Sequence, residues 1–256
     1  MISTYITGQL PQPVTVMGVN VVPFESYEQA LGCIEQTIES GNKSFWVAVN
    51  PEKVYRAWRE PRLFEVLRQA DVGICDGVGV SIASRVIHGH GLPRCTGCDL
   101  FFRLMPLAAQ KGWGVFLLGA SPESNGGACQ SLQKRFPGLR IVGRRDGFFQ
   151  DSAEVVEQIN RSGADLLFVA MGSPKQEYWI ADHRDSLSPA FCLGVGGSFD
   201  VASGKIRRAP KFFRKTGTEF VFQLMVQPWR WKRKIVYTPF MLNVLRTKLF
   251  QPQGVA

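Results

Sequence analysis

The chain has 256 residues, 45% hydrophobic and 20% charged, an ordinary globular composition that excludes a disordered chain or a fibrous repeat. Its net charge of +9 is unevenly placed: 12 of the 30 Lys and Arg lie after residue 200 with only one of the 21 acids, Glu219, so residues 1–200 carry −2 and residues 201–256 carry +11. A basic tail, rather than a basic protein, needs explaining.

In chain order, hydrophobic periodicity predicts a helix over 26–40, a strand over 45–49, a helix over 51–69 and a strand over 72–75. Helices over 79–87 and 99–110 follow, then a strand over 114–118, a helix over 122–136 and a strand over 139–142. A helix over 152–161, a strand over 166–170, a helix over 174–183 and a strand over 191–195 complete the alternation. Pro122 and Pro174 follow Ser121 and Ser173, as capped helix starts prefer. The strands are short, apolar and buried in character. The expected fold class is therefore α/β: a Rossmann-like, mostly parallel sheet with helices on both faces, plus a helical basic C-terminal appendage. Residues 1–203 form the core in this reading and residues 204–256 the appendage.

Several strands end in polar or glycine-rich turns, at Asn50-Pro51-Glu52, Asp76-Gly77, Gly119-Ala120-Ser121, Met171-Gly172-Ser173 and Gly194-Val195-Gly196-Gly197. In a parallel sheet these converge on one edge, where such folds bind ligands. Gly172, Gly196 and Gly197 suit a pyrophosphate, because glycine lets backbone N–H groups approach closely. Neither G-x-G-x-x-G nor a P-loop occurs: after Gly77 and Gly79 the next fingerprint position is Ile82. Asp76, directly after the apolar 72–75, reads as a general base or as a turn-forming Asp. Asn50 and Asp200 can hold sugar hydroxyls, Gln176 can face a ligand with its amide, and Arg94 can pair with a phosphate or carboxylate. Each of these alone also fits a structural or solvated role.

Six cysteines are too sparse for a disulfide scaffold, and a cytoplasmic, reducing location is expected. Cys95 and Cys98 have C-x-x-C spacing, but no second ligand pair accompanies them, and His88-Gly89-His90 lacks a matching cluster. No metal and no cofactor is expected. No D-x-D occurs, so a leaving diphosphate would be stabilised by Arg, Lys and helix N-termini. Residues 1–20 show no secretory leader, and no run of about 18 apolar residues is present. The tail is expected to form helices over 211–226 and 229–250, with Trp and Phe among its cations. That composition fits an interfacial membrane segment, or a helix packed on its own domain or a partner chain.

Val169-Ala170-Met171-Gly172-Ser173-Pro174-Lys175-Gln176-Glu177 and the run from Gly194 to Pro210, with Asn50-Pro51-Glu52, Asp76-Gly77-Val78-Gly79 and Arg94-Cys95-Thr96-Gly97-Cys98-Asp99-Leu100 upstream, resemble the WecG/TagA/CpsF family of glycosyltransferases. The resemblance runs from about residue 16 to 233. It implies an inverting, metal-independent transfer from a UDP-sugar to a sugar on undecaprenyl diphosphate, in bacterial cell-surface or exopolysaccharide synthesis. It places the enzyme at the inner face of the cell membrane, bound peripherally. The family's catalytic base falls on Asp76, its pocket residues on Asn50 and Arg94, and its UDP contacts on Gln176 and Asp200. Thr96, Arg207 and Arg208 lie in the matched blocks and join the substrate-binding set, and the family's tail arginines fall on Arg230 and Arg233. Two positions depart from the pattern. Glu219-Phe220-Val221-Phe222-Gln223 stands where the family has E-W-x-Y-R, and Ala48 stands where some members have Thr. The donor sugar therefore stays open between glucose, N-acetylmannosamine and its uronic acid. The expected partners are the UDP-sugar, the lipid-linked acceptor and a membrane surface, with a homo-oligomer left open and nucleic acid excluded. The competing reading is a non-catalytic module that holds a nucleotide sugar or lipid diphosphate within an assembly complex.

Overall fold

The computed structural model describes residues 10–216, 218–226, 231 and 235–250. The first described element is an antiparallel hairpin, β1 (Val14–Val16) and β2 (Val19–Val21), turning at Met17 and Gly18, both at positive φ. Periodicity does not reveal it, because three residues per strand are too few for an alternation signal.

The main sheet has six strands: β3 (Ser44–Val49), β4 (Val72–Cys75), β5 (Gly114–Gly119), β6 (Arg140–Arg145), β7 (Leu166–Ala170) and β8 (Phe191–Gly194). All are parallel, in the order β4-β3-β8-β7-β5-β6. These are the six strands the sequence predicts. β6 differs in register and exposure: it runs to Arg145 as an edge strand, with Arg140 and Arg144 exposed. An edge strand has one neighbour only, so the alternating arginines stay in water.

Between the strands run α1 (Tyr27–Glu39), α2 (Pro51–Ala57), α3 (Pro61–Gln69), α4 (Val78–His88), α5 (Gly97–Lys111), α6 (Pro122–Arg135), α7 (Ser152–Arg161), α8 (Lys175–His183) and the short α9 (Ser198–Ala202). The single helix expected over 51–69 is two. Pro61 forces the preceding Glu60 into extended backbone (φ −122°, ψ 94°), which ends one helix and starts the next. Pro174 caps α8 rather than entering it, whereas Ser121 caps α6 as expected, its hydroxyl accepting from the Ser124 N–H.

Strand alternation divides the core. Phe45, Val47, Val49, Leu167 and Val169 face α2, α3, α4, α7 and α8. Trp46, Ala48, Leu117, Phe168 and Leu193 face α1, α5, α6 and α9. Helices thus cover both faces, as a parallel sheet requires.

The tail forms α10 (Lys211–Thr216), α11 (Glu219–Val226) and α12 (Tyr237–Phe250). The helix expected over 211–226 is interrupted after Thr216. α12 packs on α2 and α4 with Phe240 and Val244 fully buried, each side chain contributing about 1.5–3 kcal/mol. Its other face exposes Leu242, Leu245 and Leu249. No helix among the described residues is long and apolar enough to cross a membrane.

Candidate active site

The carboxyl ends of β3, β4, β5, β7 and β8 open onto one cleft of about 660 Å³. β3 lies between β4, its successor in sequence, and β8, from the far end of the core. That reversal of strand order opens the crevice in which open α/β sheets hold ligands. Every described residue of the sequence-derived set lines this cleft: Asp76, Asn50, Arg94, Thr96, Gly172, Gln176, Gly196, Gly197, Asp200, Arg207 and Arg208. Arg230 and Arg233 lie outside the described residues.

Asp76 is fixed where β4 ends. Its N–H donates to the Val49 carbonyl at 2.9 Å, which ties it to the end of β3. Asn50 Nδ2 donates to its Oδ2 at 3.4 Å, and the Gly97 N–H at the start of α5 donates to its Oδ1 at 3.3 Å. Asn50 also caps α2, its Oδ1 accepting from the Lys53 N–H at 2.9 Å. The carboxylate is thus oriented from two neighbouring elements while remaining partly exposed to the cleft. Burial, then the Asp76 carboxylate, pushes the thiols of Cys75 and Cys95 up to about 12. Cys98 is also raised, chiefly by burial. The C-x-x-C pair is therefore protonated at neutral pH. Among the described residues no three His, Cys, Asp or Glu side chains gather into a metal-holding group.

The opposite wall is built from the turns after β7 and β8. Gly172 (φ 77°) and Gly196 (φ 52°) occupy left-handed backbone, which favours glycine. Gly197 caps α9. Gln176 is almost fully buried, and both ends of its amide are engaged: Nε2 donates to Glu177 Oε1 at 2.8 Å, and Oε1 accepts from the Gly196 N–H at 3.1 Å. A side chain at Gly194 would place its Cβ 2.5 Å from Gln176 Nε2, so the amide occupies the space that the glycine leaves open. Gln176 thus reaches the cleft through the turn it holds. Asp200 on α9 accepts from Ser124 Oγ at 2.6 Å, joining α9 to α6 at the rim.

The third wall joins α5 to the tail. Arg94 Nη2 donates to Glu219 Oε1 of α11 at 2.8 Å. Thr96 caps α5 by accepting from the Asp99 N–H at 3.2 Å, and its own N–H donates to Tyr27 OH at 3.0 Å. Arg208 pairs with Asp99 and lies 4.9 Å over the Phe102 ring, whereas Arg207 is exposed at the rim.

Sequence reasoning misses one buried pair at the floor. Lys53 Nζ donates to Glu177 Oε1 at 2.8 Å and to the Ala48 carbonyl at 2.7 Å. Lys53 stands in the first turn after Asn50 and Glu177 directly follows Gln176, so proximity to two candidate residues was the available signal. It also misses Tyr237, which α12 brings to the cleft lining.

The model of the family described as "Glycosyl transferase WecG/TagA/CpsF family" matches residues 14–254. A protein of Bacillus spizizenii named N-acetylglucosaminyldiphosphoundecaprenol N-acetyl-beta-D-mannosaminyltransferase is 37% identical over 214 residues, covering 83% of each chain. A protein of the same name from Bacillus subtilis is 35% identical over 209 residues, covering 80% of this chain and 82% of the relative. A parallel α/β sheet with a ligand cleft at its strand ends is an enzyme architecture that serves many chemistries. The match over residues 14–254 narrows it: the chain belongs to the WecG/TagA/CpsF family of glycosyltransferases.

Proposed function

We propose that the protein transfers a hexosyl group from a UDP-sugar to an N-acetylglucosaminyl group carried on undecaprenyl diphosphate, in the synthesis of a cell-surface polymer. The acceptor follows the names of the two Bacillus relatives, and those names favour N-acetylmannosamine as the sugar moved. One observation carries the mechanism: Asp76 presents a carboxylate to the cleft with both oxygens held, by Asn50 and by the Gly97 N–H. In this reading Asp76 takes the proton of the acceptor hydroxyl. The hydroxyl oxygen forms a bond to the anomeric carbon from the face opposite UDP, and the anomeric C–O bond breaks with its electron pair leaving on UDP. The configuration inverts. The turns at Gly172 and Gly196 and the exposed Arg207 would receive the diphosphate. The basic, apolar tail would bring the enzyme to the inner face of the membrane, each Lys or Arg near an anionic surface contributing about 1 kcal/mol. The non-catalytic binding module is set aside by membership of a transferase family.

The test is Asp76→Asn. Release of UDP from UDP-N-acetylmannosamine with the lipid-linked acceptor should fall by about 10²–10⁴-fold, with UDP affinity unchanged. Turnover near that of the wild type would refute the base assignment. Release from UDP-glucose or the uronic acid donor alone would refute the donor.

A further inference from the structure

Phe240 and Val244 anchor α12 on α2 and α4, the two helices that begin directly beyond Asn50 and Asp76. Tyr237 lies three residues before Phe240, so it continues the same helical stripe one turn further, toward those two helix starts. There it lines the cleft with Asn50, Glu52 and Asp76. Burial first, then the Asp76 and Glu52 carboxylates, pushes its phenol up to about 12, so the ring stays neutral with a proton to donate. The cleft is divided. The glycine turns that suit a diphosphate belong to β7 and β8, whereas Tyr237 stands on the β3–β4 side. The same helix then runs away from the cleft along α4, and near its far end Lys248 Nζ donates to the Ile87 carbonyl at 3.3 Å.

We propose that Tyr237 is an acceptor-binding residue, its hydroxyl donating a hydrogen bond to the lipid-linked acceptor sugar beside the hydroxyl that Asp76 deprotonates. This rests on the reading of the cleft as a site of sugar transfer. A tail residue then completes the acceptor subsite, and docking of α12 becomes a condition for binding the acceptor but not the donor.

The experiment uses the full chain, as wild type, Tyr237→Phe and Tyr237→Ala. Calorimetry measures binding of UDP and of a water-soluble, short-chain polyprenyl diphosphate bearing N-acetylglucosamine, and UDP release and thermal melting are followed in parallel. Tyr237→Phe should bind the acceptor analogue about 3- to 10-fold more weakly, as loss of one neutral hydrogen bond predicts, with UDP affinity and melting unchanged. Equal acceptor affinity in wild type and Tyr237→Phe overturns the assignment. It does so even where Tyr237→Ala binds worse, because the ring is then a packing element. If Tyr237→Ala does not fold, Tyr237→Phe still decides. A wild type that binds the analogue yet releases UDP from no UDP-sugar sinks the transferase reading, while the affinity ratio still judges Tyr237. A wild type that binds no analogue overturns both.

Discussion

Lys53 Nζ lies 2.8 Å from Glu177 Oε1, with 3% and 1% of the two side chains exposed. The partners are 124 residues apart and stand on α2 and α8, so the pair ties the Asp76 side of the cleft to the side that carries the glycine turns. Two further hydrogen bonds support it, from Lys53 to the Ala48 carbonyl and from Gln176 to Glu177 Oε1, while Glu177 Oε2 is buried without a hydrogen-bond partner among the described residues. Desolvating both ions consumes much of their attraction, so the pair is weak evidence for net stability. Removing one partner, however, leaves an uncompensated buried charge. Lys53→Met should therefore destabilise the protein by about 3–5 kcal/mol, and adding Glu177→Leu should recover most of that loss. Urea unfolding midpoints measure both. A loss in Lys53→Met that the double variant does not recover would show that packing, not the stranded carboxylate, is the cause.

The same pair gives stability a pH dependence. Burial pushes the Glu177 carboxyl up, but the Lys53 charge and the hydrogen bonds from Lys53 and Gln176 outweigh it and hold the group below the usual carboxylate range. The unfolded chain therefore binds this proton at a higher pH than the folded one, and stability rises with pH across that window. The contribution is complete above the unfolded value, about 4.3, and is lost as pH falls through the depressed folded value. Between about pH 5 and pH 3 the wild type should lose more stability than the variant carrying Lys53→Met and Glu177→Leu. Parallel slopes in denaturant titrations across that range would contradict this.

This pair also marks where the sequence stops being legible. The six strands can be read because each is a short apolar run bounded by turn residues, and the strand ends follow, since Asn50, Asp76, Gly172 and Gly196 each terminate one. Parallel topology then brings them together without further information. Partnerships do not follow in this way. Nothing in the local pattern tells Lys53 that it will meet Glu177, or Arg94 that it will meet Glu219. Gln176 is legible as a site residue but not as the clamp on Gly196, because that depends on the close approach of Gly194. The tail is legible by charge and composition, yet which face packs is fixed by the groove between α2 and α4, and that groove exists only after folding.

Arg94 and Glu219 join the cleft wall to α11 through an ion pair, at 22% and 25% side-chain exposure. Glu219 is the only acid in the tail, so its removal leaves α11 without a negative group to answer Arg94. Partial burial lifts the interaction above that of a solvated surface pair. A double-mutant cycle with Arg94→Met and Glu219→Gln should give a coupling of about 1 kcal/mol in unfolding experiments, weakening in high salt. Limited proteolysis should cut near residues 219–226 faster in Glu219→Gln than in the wild type. Zero coupling with unchanged cleavage would mean that α11 is held by its apolar residues alone.

Tail deletion cannot test the membrane role proposed for the appendage, because cutting after Ala209 also strips Phe240 and Val244 from the core. Loss of those two buried side chains would lower stability and activity whether or not the tail meets a lipid surface. The exposed face separates the two effects. Leu245 and Leu249 are 48% and 77% exposed on α12 and do not belong to either core cluster. Leu245→Glu with Leu249→Glu should leave the melting temperature near that of the wild type, because no buried contact is lost. It should also weaken sedimentation with anionic vesicles by about tenfold or more, since two apolar side chains that would enter the headgroup boundary become charged. Activity on vesicle-embedded acceptor should fall with it, while activity on a short-chain soluble acceptor stays. Vesicle binding unchanged at both low and physiological salt would show that the exposed leucines of α12 face something other than a membrane.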